Sequence, residues 1–369
     1  MLIVAVCLGA HAVNLFVLAP RHLRGLGLRE AEIGVVQGSF PLASLVAMLL
    51  LPRVVEQIGR RRTLVGGMLL CAIGSLAFLW ATGLPALVPA RAVQGMGWAS
   101  VLVSTAIITT EIAPPGRLGE ALGVAGVLTL LAMALAPLLG EHLVAWGQRA
   151  RHDPGFASLF VAATLFALAG AAVGTCLPET GAPQRRGAAA PRFTPAWPLL
   201  AAFFSAAMGF GAVVSFLADY THLVGVESMS PFFQSYVALA ILTRLTLGSL
   251  SDRIGRKAVV APALALQGIA LGGLAWLKEG WLLWPLGVGF GLAQGLYYPA
   301  LQALIVERAP AEVRPRAVAS SNFAFAAGMA VSAFTNGAVA ARAGYPTVYL
   351  EVGLAAFAGV ALVLLERRP

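Results

Sequence analysis

The sequence predicts an all-α membrane protein: twelve transmembrane helices arranged as two pseudo-symmetric six-helix bundles. Three observations carry this expectation. First, 59% of the 369 residues are hydrophobic, 11% are charged and the mean hydropathy is +0.83, whereas a soluble domain carries about 25% charged residues. Second, apolar runs of the ~20 residues that cross a bilayer as a helix recur along the chain, separated by short charged or Gly/Pro-rich connections. Third, a charged stretch is written twice: Ile58-Gly59-Arg60 returns 196 positions later as Ile254-Gly255-Arg256, with Glu56 matched by Asp252. Self-similarity of this kind marks a duplicated architecture. The short alternating strands of an outer-membrane barrel are absent from the pattern.

Taken in order, the first residues MLIVAVCLGAHAVNLFVLAP lack the basic start of a signal peptide and read as a first span with almost no tail before it, a start upstream of Met1 remaining open. Spans are expected near 2–20, 33–51, 63–81, 85–109, 119–140 and 156–177, forming an N-terminal bundle over 1–177. The stretch 178–196 contains PETGAPQRRGAAAPRFTPA, which has no apolar periodicity and reads as an exposed linker. A C-terminal bundle over 197–369 follows, with spans near 197–218, 230–248, 258–277, 281–305, 317–340 and 346–365. Trp80, Trp146, Trp197, Trp276 and Trp281 fall at span ends, where an indole keeps its ring apolar and its N–H wet.

The net charge of +9 is distributed as topology rather than as a nucleic-acid surface. With a cytoplasmic N-terminus, sixteen of the 25 Lys and Arg fall on the cytoplasmic side and seven on the other, while Arg91 and Arg244 lie within spans. The basic majority marks the cytoplasmic face, so both termini are placed there. Cys7, Cys71 and Cys176 all lie in apolar runs and supply no disulfide framework. No phosphate-binding G-x-x-x-x-G-K-[ST] loop is present, so ATP is not the energy source on this chain, and no Cys/His spacing suits a metal. The glycines around Gly287 lie inside a span, where close packing is the ordinary reason.

The doubling extends further. Gln94-Gly95 in span four returns as Gln294-Gly295 in span ten, and Glu111-Ile-Ala-Pro114 returns as Glu307-Arg-Ala-Pro310. Parallel six-helix repeats with a site near the midplane are a transporter architecture.

On these residues the sequence resembles the major facilitator superfamily of transporters. Gly248-x-x-x-Asp252-Arg253-x-Gly255-Arg256-Lys257 is similar to that family's loop signature, and Arg91-Ala-Val-Gln94-Gly95-Met-Gly97 to its fourth-span motif. Ala136-Pro137-Leu-Leu-Gly140 is a weakened form of a motif associated with efflux members, with alanine where glycine is usual. The first-half loop departs further, having Pro52 at the glycine position, Glu56 for the acid and Gln57 for the base. The resemblance implies a twelve-helix fold, a small-molecule substrate, and spans one, four, seven and ten around a central cavity.

Candidate conformational-switch residues follow: Glu56, Gly59, Arg60, Glu111, Pro137, Gly140, Arg244, Gly248, Asp252, Arg253, Gly255, Arg256, Lys257 and Glu307. Glu111 and Glu307 are expected to pair with the Arg60 and Arg256 clusters in one state and release them in the other. The plain alternative is that these are solvated loop charges, since exposed pairs contribute little.

The candidate substrate pathway rests on helix faces. Arg91, Gln94 and Trp98 share one face of span four, and a charge within a span costs about 2.5–3.5 kcal/mol or more, so Arg91 should face a cavity or a partner, or else snorkel outward. His11 and Asn14 lie on span one; Ser205, Ser215 and Asp219 on span seven; Gln294, Tyr298 and Gln302 on span ten, with Tyr297 beside them. Helix-to-helix hydrogen bonding explains such residues singly, whereas a wet pathway explains them as a set. Arg244 is expected to reach water or a loop acid. For a coupling proton, Asp219 near the outer end of span seven and His11 compete, histidine being the side chain that titrates nearest neutrality.

The sequence thus leads to a secondary transporter of the bacterial inner membrane. Proton-driven export of a small amphiphilic or sugar-like solute is expected, with uptake by symport and a non-transporting receptor as alternatives. Protons and membrane lipid are its expected partners and a monomer its expected state; no nucleic acid, metal or cofactor is called for. A lipid-modifying enzyme would need acids in a sizeable outer loop, and the stretches 140–156 and 218–230 offer no acid pair arranged for such work.

Overall fold

A computed structural model describes residues 1–112, 118–151, 155–179, 196–247, 250–310 and 313–366, with the side chains of 118–125, Arg151 and Pro315 set aside. The linker residues 185–192 and the switch candidate Gly248 lie outside the described residues.

Among the described residues the chain is helical throughout its spans and has no strand. In the first half, α1 is Leu2–Gly25, α2 Glu30–Ile58, α3 Arg60–Ala77, α4 Leu84–Ile112, α5 Leu118–Arg151 and α6 Phe156–Thr175. In the second half, α7 is Trp197–Leu223, α8 Ser230–Leu247, α9 Arg256–Leu274 and α10 Leu283–Glu307, with the short helix Leu250–Ile254 between α8 and α9. The final stretch Arg314–Leu365 is broken at Gly344 (φ 80°, ψ 166°) into α11, 314–343, and α12, 345–365. Among the described residues, eight helical stretches are long and apolar enough to cross a membrane by length and composition, the broken last one among them.

Helix ends differ from the expected spans. α5 runs to Arg151 rather than residue 140, and α7 to Leu223 rather than 218. Hydropathy marks where apolar side chains stop, but the backbone ladder continues past that point because its hydrogen bonds are internal. The connections first read as 140–156 and 218–230 are correspondingly shorter. Within α1, Leu15–Leu18 tightens to a 3₁₀ turn just before Pro20, whose ring has no N–H to return to the preceding turn.

The chain forms two compact units, Met1–Leu28 with Val35–Arg186, and Arg29–Gly34 with Gly187–Pro369. In the first unit, α3 packs on α4 and α6, and α1 on α5 and α6. In the second, α7 packs on the α11–α12 stretch, α8 on α10, and α9 on α10 and the α11–α12 stretch.

Small residues let these helices approach. A Cβ added to Gly95 would fall 2.2 Å from the Phe40 carbonyl oxygen of α2, and one on Gly97 2.5 Å from the Gly67 carbonyl oxygen of α3. Between α8 and α10 the same device repeats every turn at Gly287, Gly291 and Gly295, the packing role expected for small residues in membrane helices. Large apolar side chains such as Leu49, Ile73, Leu165, Ile269 and Leu354 point outward, and the five end tryptophans are all exposed, as a lipid-facing surface requires.

Candidate functional site

Gly59 and Gly255 adopt nearly the same extended, positive-φ conformation, φ 94°, ψ 160° and φ 97°, ψ 141°, and each opens the helix that follows. Only glycine occupies this region without strain. The repeat in the sequence is therefore a repeat in backbone shape: one sharp corner per unit, with basic residues in the first turn after it.

In the first unit, Arg60 Nη2 pairs with Glu111 Oε1 at 2.7 Å. Arg61 donates its backbone N–H to Glu179 Oε1 at 3.1 Å and its guanidinium N–H to the Leu177 carbonyl at 3.2 Å. The Glu179 carboxylate fills the space a side chain at Gly59 would need, 2.7 Å from an added Cβ. It thus sits at the N-terminus of α3, where the helix dipole favours negative charge. Glu56 is exposed and makes no ion pair among the described residues, so it does not take the place of its counterpart Asp252.

In the second unit, Arg256 holds Asp252 at 2.7 Å, Glu307 at 2.9 Å and the Ser251 hydroxyl at 2.7 Å. Lys257 and Arg308 close on Glu366 at 2.7 and 3.0 Å. These groups surround a cavity of about 620 Å³ lined by Ser251, Asp252, Arg256, Lys257, Glu307 and Arg308. Arg253 is exposed and unpaired among the described residues.

Arg60 with Glu111 thus mirrors Arg256 with Glu307. Glu179 and Glu366 complete the parallel, since each closes on the base after the first, Arg61 or Lys257. Sequence reasoning missed both carboxylates; the available signal was an acid directly following an apolar span, in Leu177-Pro-Glu179 and Leu364-Leu-Glu366. Their weights differ. Asp252 is 57% exposed and its pair contributes at most about 1 kcal/mol, whereas the Glu366 side chain is 9% exposed and serves two bases.

Arg91 does not snorkel. It is 7% exposed, donates to the Gln94 side-chain oxygen, and lies 4.9 Å from the Phe16 ring centre and 4.5 Å from that of Phe40. Gln94 in turn donates to Ser75 Oγ at 2.9 Å. The charge is stabilised by two aromatic faces rather than by a carboxylate, and the buried Arg91 Nε has no acceptor. Trp98, a turn further, packs on α1 beside Gly9 and against Cys71 and Ala72 of α3.

The other polar faces are used mostly inside their own unit. His11 Nδ1 lies 2.8 Å from the Cys7 carbonyl, and Asn14 donates to the Ala10 carbonyl at 2.8 Å, both on α1 itself. Ser205 donates to the Ala202 carbonyl at 2.9 Å, and Ser215 is buried. Tyr236 of α8 donates to Gln294, while Gln302 reaches Ser321 and Asn322 of α11 at 3.3 and 3.2 Å.

One expectation changes. Tyr297 adds no surface to a pathway: it is fully buried in the hydrophobic core of the second unit, because the residue beside a polar-face position points about 100° round the helix. Arg244, partly exposed, pairs with no loop acid among the described residues; its guanidinium lies 5.9 Å from the ring centre of Tyr298, which also packs on Phe203 and Phe325. Pro137 and Gly140 are buried in α5, where a Cβ on Gly140 would come 2.5 Å from Leu18 of α1. That glycine permits α5 to pack on the 3₁₀ turn.

Asp219, expected at a span end, is fully buried, and Tyr345 donates to its Oδ2 at 2.5 Å. Phe216, Tyr220 and Tyr349 surround the Tyr345 side of this pair.

Two like units of membrane-length helices, each turning on a charged glycine corner, define a polytopic helical protein of duplicated design. The chain belongs to the Major Facilitator Superfamily, whose family model matches residues 1–279 and 232–369. Among curated relatives it is 28% identical over 152 residues to Multidrug resistance protein D of Escherichia coli, covering 41% of this chain and 39% of that one. The match thus spans about two-fifths of that relative's length. Among solved structures it resembles the nucleoside transporter NupG, with TM-score 0.82 at 14% identity over 100% of this chain and 99% of that one. The Escherichia coli fucose:proton symporter FucP follows with TM-score 0.67 at 15% identity, over 100% and 98%. At such identities these likenesses establish the fold.

Proposed function

We propose that this protein is a secondary active transporter working by alternating access, exporting a small amphiphilic or sugar-like solute in exchange for protons. The observation that carries the reading is the paired charged corner. Gly59 and Gly255 hold matching conformations, and each is closed by ion pairs that can be exchanged for water when the neighbouring helix ends part. Glu307 is half-exposed in its pair, and such a contact contributes only about 1 kcal/mol, which suits one that must break and reform in every cycle. Export is favoured by the resemblance to a multidrug resistance protein. The proposed setting is a bacterial inner membrane with both termini cytoplasmic, an orientation that the basic corners support under the charge rule.

Uptake by symport is the second reading, favoured by the fold shared with a fucose:proton symporter. Purified protein in liposomes, screened by thermal shift against drugs, sugars and organic acids, provides a hit for flux measurement under an imposed pH gradient. Export predicts that solute moves against the proton flow and that inverting the gradient reverses its direction. Solute moving with the protons establishes symport. A ligand that binds and is never moved overturns transport altogether.

A further inference from the structure

We propose that Asp219 and Tyr345 form the site that holds the coupling proton, and that the proton reaches it from a pocket at the end of the second unit remote from Gly255; this rests on the proton-coupled reading above. Three observations converge. Asp219 is a carboxylate with no exposed surface, in the last turns of a membrane helix, where an ionisable group is costly and marks function. Tyr345 donates its hydroxyl to Asp219 Oδ2, and it directly follows Gly344, the one break in a helical stretch of 52 residues. A pocket of about 430 Å³ is lined by Tyr345, Tyr220, Gly344 and Pro346 together with Trp276 and Lys278. Tyr345 therefore touches both the buried carboxylate and the pocket.

The step balances without a further reactant. Hydronium in the pocket gives a proton to the Tyr345 oxygen as the Tyr345 O–H proton moves to Asp219 Oδ2, leaving water, neutral tyrosine and neutral carboxylic acid. The titratable groups around Asp219 include Tyr345 and Tyr349 from the final helical stretch and Tyr220 on its own helix; Lys278 and Glu30 line the pocket beyond. Protonation removes the charge that Tyr345 satisfies, so it loosens the joint between α7 and the Gly344 corner. His11, the competing candidate, lies against its own helix carbonyl and is partly exposed rather than enclosed.

Infrared titration of the protein in lipid reads the carboxyl C=O band directly and needs no substrate. The proposal expects a titrating band that Asp219→Asn abolishes and that Tyr345→Phe displaces, because the ring stays stacked on Phe216 and Tyr220 while the hydroxyl is lost. A band unchanged in either variant overturns it. In liposomes Tyr345→Phe should lower proton-driven flux by about tenfold and shift its pH profile; an unshifted profile counts against the proposal. Failure of transport with the band intact sinks the transporter reading alone, whereas proton-driven flux without the band sinks this assignment alone.

Discussion

Replacing Gly291 by alanine tests how the second unit is built. The added Cβ would stand 2.3 Å from the Tyr236 carbonyl oxygen and 2.9 Å from its carbonyl carbon and Cα. Ordinary contact begins near 3.4 Å, so α8 and α10 must part by about 1 Å at this level. The obstacle is backbone, which cannot rotate away as a side chain would, and the Tyr236–Gln294 hydrogen bond anchors the same pair of helices. Overpacking of this kind costs about 1–3 kcal/mol, against which the helix gains roughly 0.5–1 kcal/mol from exchanging glycine for alanine. A net loss of about 1–2 kcal/mol remains. Gly66→Ala on α3 is the matched control, since nothing stands within 4 Å of its added Cβ, and only the propensity gain should appear. Unfolding midpoints of the purified variants in detergent should therefore move in opposite directions. A Gly291→Ala protein as stable as its parent, or a Gly66→Ala protein that loses as much, would refute the packing argument.

The ion pairs and the buried cation give the other tests. Glu366→Gln leaves Lys257 and Arg308 short of a charge partner in a poorly exposed spot and should cost about 1–3 kcal/mol in the unfolding midpoint; Asp252→Asn, at an exposed pair, should cost under about 1 kcal/mol yet slow flux. Asp252→Asn with an unchanged transport rate and a normal amount of protein in the membrane removes the latch. Arg91→Lys keeps the charge but loses the flat guanidinium stacked on Phe16 and Phe40, so it should destabilise by about 1–2 kcal/mol. Arg91→Met, which removes the buried charge altogether, should be no less stable than Arg91→Lys while transporting less. A more stable lysine variant, or full flux from the methionine one, contradicts the role assigned to Arg91.

Much of this molecule was legible before any coordinates. Composition placed the chain in a bilayer because so many apolar side chains have no other stable surroundings, and the Ile-Gly-Arg repeat announced the two corners because only glycine tolerates their backbone shape. The pairs Arg60–Glu111 and Arg256–Glu307 were also readable, since duplicated acids and bases at equal spacing fold to equivalent places. Tertiary structure alone decided the rest. Glu179 lies 118 residues from Arg61 and Tyr345 lies 126 from Asp219, and no local pattern links either pair. It decided, too, that Tyr297 is core while Gln294, three residues before it, meets Tyr236, and that Arg91 rests between two phenylalanines. Helix periodicity says which residues share a face; what that face meets is set by which helices become neighbours, and that choice is made by the packing of the whole unit.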